Sequence, residues 1–274
     1  MQLYHNAIST CSQKVRMVLH EKALEVEDKL IDLQAGDQFD EAYIALNPDA
    51  VVPTLVDNGN VMIESTLINE YLQDAYPEIS LAPQDSYERH QMRLFCKQID
   101  DKLATACGVI TYSIGLRPSL LARPKADVDA MIAKIPNARK RQMRTDVVEL
   151  GVAAGQFKDA MLTHQSLFDA AETMLTARTW LVGETFSLAD CALIPYVVRI
   201  DHLNQNTEIN HRPNLKRWYE AVAARPSFAE AVTKWAAPAV IAMLGSAGDA
   251  VKDDIAKAMQ TYLQALSCLL IAFR

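Results

Sequence analysis

The sequence predicts an α/β domain with the element order β-α-β-α-β-β-α, followed by an all-α domain. Three observations support this prediction. Short strand patterns alternate with helical patterns up to Ala75, which is typical of one mixed sheet covered by helices. Pro77–Asp85 has two prolines and little periodicity, as expected for a linker. Beyond it the pattern is helical throughout, so we expect domains at residues 1–80 and 86–274.

The first four elements are short. Gln2–Tyr4 is predicted to be a strand, and Ser12–Lys22 a helix because its apolar residues fall on one face. Glu25–Leu33 mixes apolar and charged residues and is predicted to be the second strand. Phe39–Leu46 is expected to form a short helix that ends before a proline.

A hairpin and a helix complete the first domain. Thr54–Val56 and Val61–Ile63 are strand patterns that flank Asp57-Asn58-Gly59-Asn60, a strong hairpin-turn sequence. Ser65–Ala75 is predicted to be a helix, closed by Tyr76-Pro77.

The second half of the chain is predicted to be helical, with breaks at prolines and glycines. Gly245–Gly248 is expected to interrupt the pattern, and Asp249 to cap a final amphipathic helix. The predicted helical segments are Tyr87–Tyr112, Arg117–Arg123, Val128–Ile135, Ala138–Arg178, a helix from Leu188, Pro213–Arg225, Ser227–Trp235 and Asp249–Phe273.

Composition excludes several classes of function. The net charge of −7 and the pI near 5.4 argue against binding to nucleic acid or to anionic membranes. The five cysteines are irregularly spaced, which fits neither a disulfide framework nor a metal site and is typical of a reducing compartment. The chain opens on a strand pattern, and its longest apolar stretch is shorter than a membrane span. We therefore expect a cytoplasmic protein.

Four small side chains, Ser9-Thr10-Cys11-Ser12, lie where the first strand leads into the first helix. The first turn of a helix has unpaired N–H groups and a partial positive charge. A thiolate held there is stabilised, whether it belongs to the protein or to a ligand.

A second motif, Asn47-Pro48 with Val52-Pro53-Thr54-Leu55, is followed by Glu64-Ser65-Thr66. With this motif the chain resembles the glutathione transferase superfamily, over residues 1–80 most clearly. The resemblance implies a thioredoxin-like N-terminal domain that binds glutathione, and a helical domain that shapes the pocket for the second substrate. It also implies a cis peptide at Pro53.

The resemblance assigns five residues to glutathione. Val52 presents its backbone to the cysteinyl part of glutathione and Pro53 fixes its direction. Ser65 and the N–H groups of its helix hold the γ-glutamyl carboxylate, and Glu64 pairs with the ammonium. Gln38 is a zeta-class feature that contacts glutathione.

Three residues are candidates for the catalytic group. Zeta-class enzymes place the catalytic serine at Ser9. Tetrachlorohydroquinone reductive dehalogenases have a Ser-x-Cys-Ser-x-Lys motif, which this chain matches, with a working cysteine at Cys11. Lignin β-etherases place a serine at Ser12. One hydroxyl together with the helix N-terminus is enough to ionise a thiol, because each contributes about 1–3 kcal/mol.

The same resemblance identifies a second-substrate pocket and a structural motif. We expect Asn6, Ile8, Tyr112 and Ile114 to line this pocket, with Arg117 or Arg144 available to an acidic substrate. Ser187-Leu188-Ala189-Asp190 has the spacing of a capping box, and a buried aspartate there stabilises the helical domain in the family.

The function expected from the resemblance is a glutathione-dependent transferase acting on an electrophilic aromatic substrate, by β-aryl ether cleavage or dehalogenation. Two alternatives remain: a zeta-type cis–trans isomerase, and a glutathione-binding interaction protein without turnover. A homodimer is expected, and a heterodimer with a paralogue is the alternative. The final helix is expected to pack on its own chain and not in a membrane.

Overall fold

The computed structural model describes residues 1–260. Its first part is a mixed sheet of strands β1 (Gln2–His5), β2 (Glu27–Leu30), β3 (Thr54–Asp57) and β4 (Asn60–Met62). The strand order is β2-β1-β3-β4, with β1 parallel to β2 and antiparallel to β3. β3 and β4 form the predicted hairpin.

Three helices accompany the sheet: α1 (Thr10–Glu21), α2 (Glu41–Ile44) and α3 (Ser65–Ala75), with a 3₁₀ turn at Asp37–Phe39. The order is therefore β-α-β-α-β-β-α, and the predicted fold class is confirmed. The core between sheet and helices is formed by Leu3, Val15, Val18, Leu55, Ile68 and Leu72.

The rest of the described chain is helical. α4 (Ser86–Gln98) and α5 (Ala104–Ile110) precede three further helices, α6 (Arg117–Leu121), α7 (Lys125–Ala133) and α8 (Ala138–Leu150). The remaining helices are α9 (Gly155–Met174), α10 (Leu188–His202), α11 (Thr207–Asn210), α12 (Pro213–Ala223), α13 (Pro226–Ala231) and α14 (Pro238–Ala250), followed by helical residues 252–260. None of the helices within residues 1–260 is both long and apolar enough to cross a membrane.

α1 joins the two parts of the molecule. Its residues from Ser12 to Leu19 are all buried. It contacts α3 on the sheet side, and α10 and α13 on the helical side. The N-terminus of α1 is therefore held by elements from both parts of the chain.

One π-helical segment divides the long helix predicted over Tyr87–Tyr112, and a second continues it beyond its predicted end. They lie at Ile99–Leu103 and Thr111–Leu116, and no proline marks either of them. Wide turns of this kind are frequent at functional sites. The first contains Asp100 and the second Tyr112, both of which line the cavities described below.

The predicted helix Ala138–Arg178 is also divided, at Gly151. This residue adopts φ = 58°, a conformation that glycine tolerates without a steric penalty. It ends α8 and leads through a 3₁₀ turn, Gly151–Ala153, into α9.

The break predicted at Gly245–Gly248 is wrong, and so is the cap predicted at Asp249. Both glycines lie inside α14, and Asp249 lies in its last turn. A Cβ atom at Gly248 would overlap the carbonyl oxygen of Leu203 at the end of α10. These glycines therefore permit close packing of two helices instead of ending one. The remainder of the predicted final helix, residues 261–273, lies outside the described residues.

The predicted capping box at Ser187 is present. The Ser187 hydroxyl accepts a hydrogen bond at the N-terminus of α10, and its N–H donates to Asp190. Asp190 is fully buried and also accepts from the N–H of Leu181 at 3.0 Å and from Nε1 of Trp218 at 2.8 Å. Burial raises the pKa of Asp190 to about 6. One carboxylate therefore ties together α10, α12 and the segment before α10.

Candidate active site

The loop between β1 and α1 ends at Ser9, which caps the helix. The Ser9 hydroxyl oxygen accepts a hydrogen bond from the N–H of Ser12 at 3.3 Å. Its own hydrogen is therefore free to point away from the helix. Ser9 is half-buried, whereas Ser12 is fully buried and accepts from the N–H of Asn6 at 3.2 Å.

Cys11 lies in the first turn of α1 and is half-buried. Its Sγ atom is 4.0 Å from the hydroxyl of Tyr196, a fully buried residue of α10. Burial raises the pKa of Tyr196 well above its ordinary value, so this hydroxyl stays protonated and can donate to the sulfur.

Two buried arginines hold the loop that carries Ser9. Arg16 donates to the carbonyl oxygens of Asn6 at 3.0 Å and Ala7 at 2.8 Å. Arg199, on α10, donates to the carbonyl oxygen of Ile8 and to the hydroxyl of Thr111. Burial lowers the pKa of Arg16 to about 9, which still leaves it charged at neutral pH. The position of Ser9 is therefore fixed by charged donors from two different helices.

A first cavity of about 450 Å³ opens beside Ser9. It brings together seven of the eight predicted site residues: Ser9, Cys11, Gln38, Val52, Pro53, Glu64 and Ser65. Ser12 is the exception, because it lies beneath the loop and lines neither this cavity nor the next.

One end of the first cavity is polar. Ser65 is buried at the start of α3, and the exposed Glu64 precedes it with φ = 67°. A non-glycine residue in this region is strained by about 1–3 kcal/mol, and such strain concentrates at ligand sites. A negatively charged group would be stabilised here by the first N–H groups of α3.

Lys14 connects the structural elements around this end of the cavity. It is fully buried, and its Nζ atom contacts the Thr66 hydroxyl at 2.7 Å and the Asp100 carboxylate at 2.8 Å. The Thr66 hydroxyl also donates to Asp100 at 2.9 Å. This cluster connects α1, α3 and the first π segment directly behind Ser65.

Gln38 and Val52 form the side of the first cavity. The Val52–Pro53 peptide is cis, as expected. Gln38 donates to the carbonyl oxygen of Leu33 at 3.4 Å. Its Oε1 atom is buried and has no hydrogen-bond partner within the described part of the chain, so it is available to a donor in the cavity.

A second cavity of about 580 Å³ adjoins the first. Ser9, Leu33, Ala104, Gly108 and Tyr112 line both cavities. Of the predicted pocket residues, Asn6, Ile8 and Tyr112 line the second cavity and Arg144 lines the first.

Two predicted pocket residues lie elsewhere. Ile114 is buried in the core, and Arg117 donates to the carbonyl oxygens of Val148 and Glu149. Arg199, Cys107 and Trp235 line the second cavity but are not among the residues predicted from the sequence. Their contacts with the site depend on long-range packing, so no local pattern marks them.

Two family models match the chain. The model of the glutathione S-transferase N-terminal domain matches residues 3–80, and that of the C-terminal domain matches residues 153–226. The chain belongs to the glutathione transferase superfamily. Glutathione is the co-substrate of this family. In this transferase the N-terminal model matches the sheet part of the chain, and the C-terminal model matches residues within the helical part.

Individual relatives span most of the transferase. Glutathione S-transferase TCHQD of Arabidopsis thaliana is 28% identical, covering 86% of this chain and 90% of the relative. A tetrachloro-p-hydroquinone reductive dehalogenase of Sphingobium chlorophenolicum is 27% identical, covering 83% and 94%. The crystal structure of the β-etherase LigF from Sphingobium sp. strain SYK-6 is similar with a TM-score of 0.75 at 25% identity, covering 85% of this chain and 98% of that chain.

The residues of the first cavity fit glutathione. The tripeptide carries two carboxylates, an ammonium, amide donors and a thiol. Glu64 offers a charge to the ammonium, Ser65 a donor to a carboxylate, and the unpartnered Gln38 oxygen an acceptor for an N–H group. The cavity wall therefore has complementary groups for the ammonium, for one carboxylate and for an amide N–H group of the co-substrate.

Proposed function

We propose that this transferase uses the thiolate of glutathione to displace a leaving group from an electrophilic aromatic substrate, in β-aryl ether cleavage or dehalogenation. The position of Ser9 is the observation that carries the proposal. Ser9 lines both cavities, so its hydroxyl can donate to a sulfur held in the first while a reactive carbon lies in the second.

The residues of the first cavity have distinct roles in this proposal. Glu64 and Ser65 hold the γ-glutamyl end, and the backbone of Val52 pairs with the cysteinyl part. The Oε1 atom of Gln38 accepts a hydrogen bond from an N–H group of glutathione. Ser9 and the N-terminus of α1 stabilise the negative sulfur, which lowers its pKa.

The displacement balances without a further reagent. Glutathione supplies the nucleophilic sulfur, and its thiol proton goes to solvent. The carbon–sulfur bond forms as the carbon–oxygen or carbon–halogen bond breaks, and the leaving group departs as aryloxide or halide with the electron pair.

Cys11 supports a second candidate, reductive dehalogenation. Its thiol lines the first cavity next to Ser9, with the Tyr196 hydroxyl as a donor to its sulfur. In that reaction Cys11 attacks the sulfur of a glutathionyl substrate. A disulfide forms, the carbon takes the electron pair and a proton, and a second glutathione reduces the disulfide.

A turnover screen tests the proposed function. The wild-type protein is incubated with glutathione and, separately, a β-aryl ether, a chlorinated hydroquinone and a chloronitrobenzene. A glutathione thioether from the ether or from the chloronitrobenzene supports displacement, and a dechlorinated hydroquinone supports the role of Cys11. Glutathione binding without turnover of any substrate would contradict the proposal.

Replacing Ser65 by alanine is expected to weaken glutathione binding about ten- to a hundredfold. A hydrogen bond to a charged carboxylate contributes about 1.5–3 kcal/mol, and each 1.4 kcal/mol is about tenfold in affinity. Calorimetric titration measures the effect. Ser80→Ala is the matched control, because its hydroxyl donates to the carbonyl oxygen of Ala82 and neither residue lines a cavity. Equal affinities for the two variants would remove Ser65 from the site.

We also propose that the transferase is a homodimer that pairs through α3 and α4. Arg93 and Glu70 link these helices, and Leu67 and Leu94 on them are 64% and 48% exposed. Exposed leucines on adjacent helices are suitable contacts for a twofold interface. Light scattering of the wild-type protein at micromolar concentration is expected to give the dimer mass, and Leu67→Glu to shift it towards the monomer. A monomeric wild-type protein would contradict the proposal.

A further inference from the structure

The wall of the second cavity contains a buried cation without a counter-ion. Arg199 is 4% exposed and lines the cavity from the last turn of α10. Its two terminal nitrogens donate to neutral oxygens, and its Nε atom has no partner. Within residues 1–260, no carboxylate lies within ion-pair distance of it. Of the other buried cations, Lys14 and Arg212 each contact a carboxylate, whereas Arg16 and Lys22 donate to neutral groups as Arg199 does.

A second cation lies close by. Arg144, on α8, is half-buried and stands over the ring of Tyr112, with 3.1 Å between its central carbon and the ring centroid. No carboxylate among the described residues forms an ion pair with Arg144 either. Tyr112 lines both cavities, so the two guanidinium groups flank the space where the cavities meet.

The other titratable groups around the second cavity do not cancel this charge. Asp32 lines it but is exposed, and its carboxylate accepts from the N–H groups of Gln34 and Ala35. Cys107 is fully buried, and burial raises the pKa of its thiol, which is therefore neutral. Among the described residues that line the second cavity, Arg199 is therefore the one cation, and the carboxylate of Asp32 is exposed to solvent.

We propose that the second cavity selects an aromatic electrophile that carries a carboxylate or phenolate, and that Arg199 is the residue that recognises this anionic group. This inference rests on the proposed function, because it names the class of the second substrate. Apolar residues such as Leu116 and Val240 contact the ring, and Arg199 supplies the charge. Arg144, which stands over the ring of Tyr112, adds its positive charge to the electrostatic potential at the cavity. A buried guanidinium attracts an anion strongly, since little water screens the pair.

A matched pair of substrates tests the inference. Para-chloro-meta-nitrobenzoate and the corresponding benzamide have the same leaving group and nitro group, but only the benzoate is charged. For each, kcat/KM with glutathione is divided by the uncatalysed rate constant. We expect the wild-type protein to favour the benzoate by about tenfold or more. Arg199→Gln is expected to lose this preference, and Arg199→Lys to keep part of it.

Controls separate charge recognition from a structural effect. Arg199 also supports Ile8, so a general loss of order would lower turnover of both substrates alike and would not change their ratio. Arg117→Gln removes a cation that lines neither cavity, and it is expected to leave the ratio as in the wild type. If Arg199→Gln does not fold, Arg144→Gln provides the second variant, with an expected several-fold loss of preference.

A binding measurement distinguishes failure of this inference from failure of the proposed function. Quenching of the tryptophan fluorescence, to which Trp235 in the second cavity contributes, reports binding of meta-nitrobenzoate and meta-nitrobenzamide without turnover. Tighter binding of the benzoate that Arg199→Gln abolishes supports the inference even if no substrate is turned over, in which case the proposed function is wrong. A wild-type protein that does not distinguish the charged from the neutral compound, or an Arg199→Gln variant that still does, would overturn it.

Discussion

Replacing Asp190 by alanine is expected to lower the free energy of unfolding by about 3–5 kcal/mol. The carboxylate accepts from the N–H groups of Leu181 and Ser187 and from the indole of Trp218, all in the core. Each donor left unpaired after burial costs about 1–3 kcal/mol, and relief of the buried charge offsets part of the total. Urea unfolding followed by circular dichroism measures the loss.

The effect of Asp190→Ala should also depend on pH. Because the pKa of Asp190 is raised to about 6 in the folded protein, the native state holds more protons than the unfolded state between about pH 4 and pH 6. The stability that this residue contributes is therefore greatest below that range and falls as pH rises through it. The stability difference between wild type and variant should shrink from pH 4 to pH 6 and then stay constant.

Ser187→Ala is the matched comparison for Asp190→Ala, because it removes one cap and leaves the carboxylate in place. A cap of this kind contributes about 1 kcal/mol. If Asp190→Ala cost no more than Ser187→Ala, the carboxylate would not be the centre of this network.

Replacing Ser9 by alanine is expected to slow turnover about ten- to a hundredfold near neutral pH. Loss of the hydroxyl donor should raise the pKa of the bound glutathione thiol by about one to two units, and each unit is worth about 1.4 kcal/mol. The rate should recover at higher pH as the thiol ionises without help. Ultraviolet absorbance of the thiolate gives its pKa directly, and Ser9→Thr should restore both rate and pKa.

Ser12 and Cys11 provide the controls for Ser9. Ser12→Ala removes a hydroxyl that lies beneath the loop, so it should affect stability more than thiol pKa. Full activity in Ser9→Ala beside an inactive Cys11→Ser, with a glutathione adduct on Cys11 seen by mass spectrometry, would reverse this assignment. The enzyme would then act as a reductive dehalogenase.

Local sequence signals located the first domain and the polar end of its cavity. α3 begins at Ser65 and ends at Ala75 as predicted, although Glu64 and not the serine is its N-cap residue and makes no side-chain cap hydrogen bond; Pro77 lies two residues beyond its end. The hairpin was equally clear from its Asn-Gly turn. These features depend on a few neighbouring residues, which is why the sequence alone reveals them.

Features that depend on distant contacts could not be read in this way. Gly248 resembles a helix break in sequence, but in the folded protein it makes room for the carbonyl of Leu203. Nothing in the local sequence of α10 distinguishes Arg199 from its neighbours. In the folded protein, however, it donates to the carbonyl oxygen of Ile8, 191 residues away in the chain. Local patterns carry no information about such a partner.

The wall shared by the two cavities links the two substrates thermodynamically. Leu33, Ala104, Gly108 and Tyr112 belong to both cavities, so a molecule in one contacts side chains that also bound the other. In the proposed reaction, any change that one bound substrate makes in the affinity for the other is therefore equal in size to the reverse effect. The apparent KM for either substrate then depends on the concentration of the other. A KM measured at one fixed concentration of the second substrate therefore describes both substrates together and not one ligand alone.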